Sequence, residues 1–351
     1  MNREYYLRLA NEGLRMPIGS DLVLHEQPDP AAVVVDGERL GKVIEETARR
    51  YNTPIAVSRM DLELEKAVLL KILGIPEADI PKYQFTSCPT DAQVASVGSG
   101  FRPGIHPKMD AHIDSIRYIA ANTDLVPVGM TIGPFSLMTK LVRDPISPIY
   151  MAGMGLTAEE EPELEMVERV LEMGTRLILK SVSAQIDAGA KLVFIAEPAA
   201  NKVYLSPNQI EKGSDIFDRY PMKYLKRIKA FLDERNVDLL FHCCGELIDV
   251  MVAKFTELRP VILSLGSSRI LWEDAALVPK DIVLYGNLPS KRFYDDALIS
   301  LEDVVRTSED LLAKMREAGH PFILGSECDV LSVPGCQDTL MRKADAIAGL
   351  N

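Results

Sequence analysis

The sequence predicts an α/β fold, a single (β/α)8 TIM barrel with an N-terminal helical arm. Three observations carry this. The chain is 351 residues long with no stretch that reads as a linker, a length at home in one α/β barrel. Hydrophobic residues make up 47% of it, enough to bury a large core. Short apolar runs, each bounded by polar, Gly or Pro residues, alternate with helical patterns, and that alternation points to a parallel sheet. The expected organisation is one domain over 1–351, with the arm at 1–53 and the barrel at 54–351.

The arm holds a helical start, the Pro- and Asp-containing segment Gln27-Pro28-Asp29-Pro30, and a helical register from Gly41 to Tyr51. Pro54-Ile55-Ala56-Val57 is the first strand, Asp61 lies just past its end, and a helix follows from Leu62 to Leu73, stopped by Gly74. From Pro81 to Pro107 the pattern is loop-like and predicts a cover over the barrel mouth; His106 and His112 read as helix-boundary residues. Leu125 to Ile132 is a strand, Gly133-Pro134-Phe135 a turn, and Ser136 to Val142 the opening of a helix. Thr157-Ala158-Glu159-Glu160 has the spacing of a capping box for a long helix, restarted at Pro162 and continuing to about Ala188. Lys191 to Ala196 is the next strand, closing on Glu197-Pro198, and a helix broken near Tyr220-Pro221 runs on to Arg235. The strand from Val237 to Cys244 follows, then strands at Val261–Leu265 and Asp281–Tyr285, the latter ending at Gly286-Asn287. Ser300 caps a helix that Gly319 ends, Phe322 begins a last strand, and a final helix spans about Gly335 to Ala348.

Acidic residues outnumber basic ones 51 to 39, for a formal charge of −12 and a pI near 5.0. That balance argues against nucleic acid or an anionic membrane surface as partner. No run approaches the length of a spanning helix and the start lacks an apolar leader, so a cytoplasmic protein is expected. Five cysteines, two of them adjacent, read as reduced thiols or ligands, not as a disulfide framework.

The chemistry concentrates in Leu239-Leu240-Phe241-His242-Cys243-Cys244-Gly245. In a strand, side chains at i and i+2 share a face, so His242 and Cys244 point together and Cys243 points away. A further soft ligand arrives with Cys328, after the apolar run Pro321-Phe322-Ile323-Leu324-Gly325. One imidazole and two thiolates are donors that zinc prefers, and they leave a fourth tetrahedral position for water or substrate. Buried cysteines also fill cores with no chemistry attached. In a barrel, however, the residues just past the strands, Asp61, Glu197, His242, Cys244, Asn287 and Cys328, converge on one mouth, and that convergence favours a metal.

Several segments together resemble the uroporphyrinogen decarboxylase superfamily, and within it the zinc-dependent, corrinoid-linked methyltransferases. They are Gly133-Pro134-Phe135-Ser136, Glu197-Pro198-Ala199-Ala200, His242-Cys243-Cys244-Gly245, Tyr285-Gly286-Asn287-Leu288 and Leu324-Gly325-Ser326-Glu327-Cys328. The decarboxylase branch carries a Met-Arg-Gln-Ala-Gly-Arg-Tyr stretch and a Leu-Gly-His-Gly segment; neither is present, and Arg8 and Arg15 lie in the right region without the motif. Asp61 is similar in placement to the decarboxylase aspartate. The resemblance implies His242, Cys244 and Cys328 as zinc ligands. The chain departs from the methyltransferase pattern at Asp329, where a glycine is common, and in Cys336, read first as a helix N-terminal residue.

What the resemblance implies is methyl transfer between a corrinoid on a separate carrier protein and a small substrate, a thiol or a methoxylated compound. Glu197 or Asp61 would move a proton or orient the substrate, and Asn287 would hydrogen-bond it. Each also has a structural role open to it: Glu197 as a helix cap, Asn287 as the holder of a turn. The competing readings are a metal-free porphyrinogen decarboxylase using Asp61 and a non-catalytic corrinoid- or substrate-binding subunit. The direction of transfer and the oligomeric state, a homodimer included, stay open.

Overall fold

The computed structural model describes residues 2–350. Eight parallel strands form one curled sheet: β1 (Arg15–Met16), β2 (Ile55–Ala56), β3 (Val126–Ile132), β4 (Leu192–Ala196), β5 (Asp238–Cys243), β6 (Ile262–Leu265), β7 (Val283–Leu288) and β8 (Phe322–Ser326). Their order is β1-β8-β7-β6-β5-β4-β3-β2, each paired in parallel with its neighbour, with helices packed around the outside. This is the α/β barrel that the alternation predicts. β1 and β2 stand at the two ends of the order, and residues from both sides of that seam, Met16 to Ser20 and Thr53 to Val57, line one small cavity.

Alternation sorts each strand into two cores. Met130, Phe194, Leu240, Ile262, Val283, Tyr285 and Ile323 fill the barrel interior. Val193, Ile195, Phe241, Cys243, Leu263, Leu284 and Leu324 face the helix layer. Apolar residues on both faces are what a parallel sheet covered on both sides requires.

One boundary differs from expectation. β1 comes from the stretch read as the arm, and it pairs with β8 through Arg15 with Leu324 and Met16 with Gly325. A strand of two residues is too short to show a period. The tie is reinforced from inside, where the Tyr285 hydroxyl donates to Met16 O at 2.6 Å. Gly325 makes room for it, since a Cβ there would fall on the Tyr285 ring. The first helix, Arg3–Asn11, closes the opposite end of the barrel: Tyr6 donates to Asp238 at 3.0 Å, and Arg3 donates to the carbonyls of Pro260 and Asp281.

The stretch 81–107 is not all loop. Asp91–Gly100 is a helix with a capping box between Thr90 and Gln93, and it places Gly98-Ser99-Gly100 in its last turn. His106 is the N-cap of the next helix, as expected, whereas His112 is buried inside that helix. The capping-box spacing at Thr157 closes a separate turn, in which Thr157 donates to Glu160, and the long helix starts only at Pro162. β7 runs on through Leu288, so Asn287 lies within the strand. Among the described residues, no helix is long and apolar enough to cross a membrane.

Candidate metal centre

His242 lies near the C-terminal end of β5, Cys244 just past it, and Cys328 two residues beyond β8. The sheet brings them to one mouth, and their ligand atoms all lie within 4.8 Å of one another. Cys243 is buried on the opposite face among outer-core residues, as alternation requires.

Two features of the triangle suit a metal. His242 is 1% exposed, and its Nε2 is buried with no hydrogen-bond partner. An orphaned ring nitrogen beside two sulfurs is costly unless something ligates it. Its other nitrogen, Nδ1, lies 2.8 Å from Ser264 Oγ, the register neighbour on β6. When Nδ1–H donates to Ser264, Nε2 carries the free lone pair, which is the tautomer a ligand needs.

The two sulfurs act on each other through a hydrogen bond. Cys244 accepts a hydrogen bond from the Cys328 thiol, and with His242 and Lys291 beside it this holds its pKa well below the ordinary thiol range, although burial opposes it. The same hydrogen bond, together with burial and the Cys244 charge, pushes Cys328 up. A divalent cation would release that proton and neutralise both thiolates.

Three hydrogen-bonded links tie the surrounding loops together. Glu327, 4% exposed, accepts from Ser267 N at 3.2 Å and Ser267 Oγ at 2.7 Å, and lies 3.7 Å from Lys291. Ser290 Oγ donates to Cys328 O at 3.2 Å. Asn287 Nδ2 donates to Gly266 O at 2.8 Å and Arg269 O at 2.9 Å, and so holds the turn after β6 that carries Ser267.

The carboxylates named from the sequence lie near the mouth, each already engaged. Glu197 is fully buried against the N-terminus of the helix Pro134–Leu141, where it accepts from Phe135 N at 3.1 Å and Ser136 N at 2.5 Å. Ser136 Oγ in turn accepts from Ala199 N at 2.9 Å, so the Gly-Pro-Phe-Ser and Glu-Pro-Ala-Ala segments lock onto each other. Burial pushes Glu197 up to about 7 against those hydrogen bonds. Asp61 pairs with Arg59 at 3.0 Å and accepts from Glu63 N at 3.1 Å; burial works against its charge, but Arg59 lowers its pKa. Its neighbour Met60 reaches the site, with Sδ 4.0 Å from Cys328 Sγ. Cys336 is the N-cap of the last helix, as expected.

Ser264, Glu327 and Lys291 are the contributors that sequence reasoning did not assign. Ser264 had a signal, a lone hydroxyl inside Val261-Ile262-Leu263-Ser264-Leu265. Lys291 had none.

Comparison with known families matches residues 48–334 to the model described as uroporphyrinogen decarboxylase (URO-D). The chain belongs to the uroporphyrinogen decarboxylase family. Among solved structures, this URO-D family member is similar to a methyltransferase from Methanosarcina mazei, with a TM-score of 0.67. That match has 15% sequence identity and covers 99% of this chain and 98% of the other. At that identity the likeness speaks to the fold. Comparison with curated proteins finds no match.

Proposed function

We propose that this chain is a zinc-dependent methyltransferase that moves a methyl group between a corrinoid on a separate carrier protein and a small thiol or methoxylated compound. The observation that carries the reading is the triangle of His242, Cys244 and Cys328 with its unpartnered Nε2, set in the mouth of a URO-D family barrel. The similarity to the Methanosarcina methyltransferase supports it. Zinc, when bound, would supply a Lewis acid with no net charge left over, suited to holding a substrate sulfur or oxygen.

The rest of the work falls to the chain. Ser264 fixes the His242 tautomer, and Glu327 with Ser267 and Asn287 fixes the loops beside the sulfurs. Met60 and Phe194, the latter packed edge-on against His242, give the site an apolar wall that keeps water from the transferring group. In this reading Glu197 and Asn287 are positioning residues, and Asp61 sets Arg59. A porphyrinogen decarboxylase would need free arginines for several carboxylates, whereas Arg59 is held by Asp21 and Asp61.

Elemental analysis of the purified wild type and of Cys328→Ser tests this first. About one zinc per chain, sharply reduced in the variant, is expected, followed by methyl transfer when a corrinoid protein is supplied. A metal-free wild type, purified without chelator, would refute it.

A further inference from the structure

We propose that the cleft on the outer side of the β6 and β7 loops binds a nucleoside monophosphate, with Trp272 taking the base and Arg292 and Lys314 the phosphate. The site is separate from the ligand triangle and does not depend on the methyltransferase reading.

The cleft follows from an uneven helix layer. Between β7 and β8 the chain forms the long helix Leu301–Ala318, but between β6 and β7, over 266–282, it forms only the short turn Leu271–Asp274. A cavity of about 390 Å³ opens between the two, a size at which small-molecule sites are found. Leu288 and Leu311, both buried, contribute its apolar surface.

Its polar groups come from three elements. Thr307, Asp310 and Lys314 stand at i, i+3 and i+7 on the long helix and so share one face. Arg292 arrives from the turn Ser290–Arg292 after β7. Trp272, the one tryptophan of the chain, brings a flat ring from the turn after β6.

The pairing of these groups points to a ligand. Asp310 and Lys314 are an acid and a base at i and i+4, the order in which a helix favours an ion pair. The Lys314 ammonium instead lies 3.9 Å from the centroid of the Trp272 ring. Among the described residues, the side chains of Arg292, Asp310 and Lys314 have no ion pair or hydrogen bond. Arg269, at the same cavity, is by contrast held by Asp249 and Asp274. In a chain of net charge −12, two unpaired cations around one cavity concentrate positive charge against the general trend.

Each group fits one part of a nucleotide. A base stacks on an aromatic face more strongly than an exposed ammonium does, so it would displace Lys314 from the ring. The freed ammonium, on its flexible stem, then joins the Arg292 guanidinium on the phosphate. The Asp310 carboxylate accepts from ribose hydroxyls. A bare phosphate would leave the ring unused, and a neutral nucleoside would leave both cations unused.

The full chain is titrated with adenosine 5′-monophosphate, adenosine and inorganic phosphate. Fluorescence of Trp272, excited where adenine does not absorb, reports stacking without a label. The monophosphate should quench it and bind about tenfold or more tightly than adenosine or phosphate alone. Calorimetry then compares variants. Arg292→Gln and Lys314→Met, both at exposed positions, should keep the wild-type unfolding midpoint and weaken the monophosphate about three- to tenfold. Trp272→Leu should weaken it about tenfold, whereas Trp272→Phe, which keeps a stacking face, should retain most of the affinity. No binding of the monophosphate, phosphate alone binding as tightly, or an affinity indifferent to both cation variants would overturn the proposal and leave Lys314 and Trp272 as a surface packing pair. A metal-free wild type would refute the methyltransferase reading and leave this one standing.

Discussion

Removing the Ser264 hydroxyl should weaken metal binding far more than its size suggests. His242 is 1% exposed, and Ser264 Oγ at 2.8 Å is the partner of its Nδ1. Ser264→Ala leaves a buried N–H with no acceptor, at a cost of about 1–3 kcal/mol to the folded state. It also frees the imidazole to take the other tautomer, in which Nε2 carries the proton and cannot ligate. Loss of such an orienting partner typically weakens metal affinity about 10–100-fold, or about 1.4–2.8 kcal/mol. The assay is zinc competition against a chromophoric chelator, run beside urea unfolding of the metal-free protein, which separates the two effects. A variant destabilised as expected yet binding zinc within about twofold of wild type would show that Ser264 is a core hydrogen bond and nothing more.

Two further predictions concern buried carboxylates. Glu65 is fully buried with Thr131 Oγ1 donating to it at 2.7 Å, and burial pushes it up to about 7. Because the folded pKa is raised, the folded state holds the proton longer than the unfolded one, and stability falls as pH rises from about 4.5 through about 7. Glu65→Gln, whose carbonyl can still accept from Thr131, should reduce that fall by about 2–3 kcal/mol; urea midpoints at pH 5 and pH 8 measure it, and an unchanged difference would refute the assignment. Gly133→Ala would place a Cβ on the Glu197 carboxylate, which two backbone N–H groups hold in place. A loss of about 1–3 kcal/mol in thermal or urea unfolding is expected, and full stability would mean that the cap can move aside.

The cluster of His242, Cys244 and Cys328 was legible because two of its residues share one strand face, by the period-2 rule that strands obey. Cys328 was legible by other means, as a soft donor after another apolar run; alternation in β8, with Ile323 inside and Phe322 and Leu324 outside, does not place it. Glu197 shows where the method stops. Its position past β4 was right, but Leu192 to Ala196 is apolar throughout, so nothing in the run tells which face residue 197 takes. The structure puts Phe194 and Ala196 inside, and Glu197 turns to the helix layer. β1 failed differently: two residues, Arg15 and Met16, hold a strand's place through pairing with β8 and the Tyr285 hydroxyl, both distant in sequence. Lys291 could not be found at all, since a lysine in a short helical turn after a strand is ordinary until the fold sets it 3.7 Å from Glu327.

The hydrogen bonds around the sulfurs are unevenly distributed, and this bears on how the site works. On the β6 to β8 side, Asn287 holds the turn that carries Ser267, Ser267 holds Glu327, and Ser290 holds the backbone of Cys328. Each link joins one strand or its loop to the loop of another, so Cys328 is tied to several elements at once. On the β2 side the contact with Cys328 is the thioether of Met60, a flexible side chain without a directional bond. Arg59, beside it, is tied to Asp61 and to Asp21 instead. A site so built holds its donors rigidly where a metal needs fixed geometry and leaves the β2 loop to adapt to what enters. Different substrates should therefore be accommodated by movement at Met60, with the positions of His242, Cys244 and Cys328 unchanged.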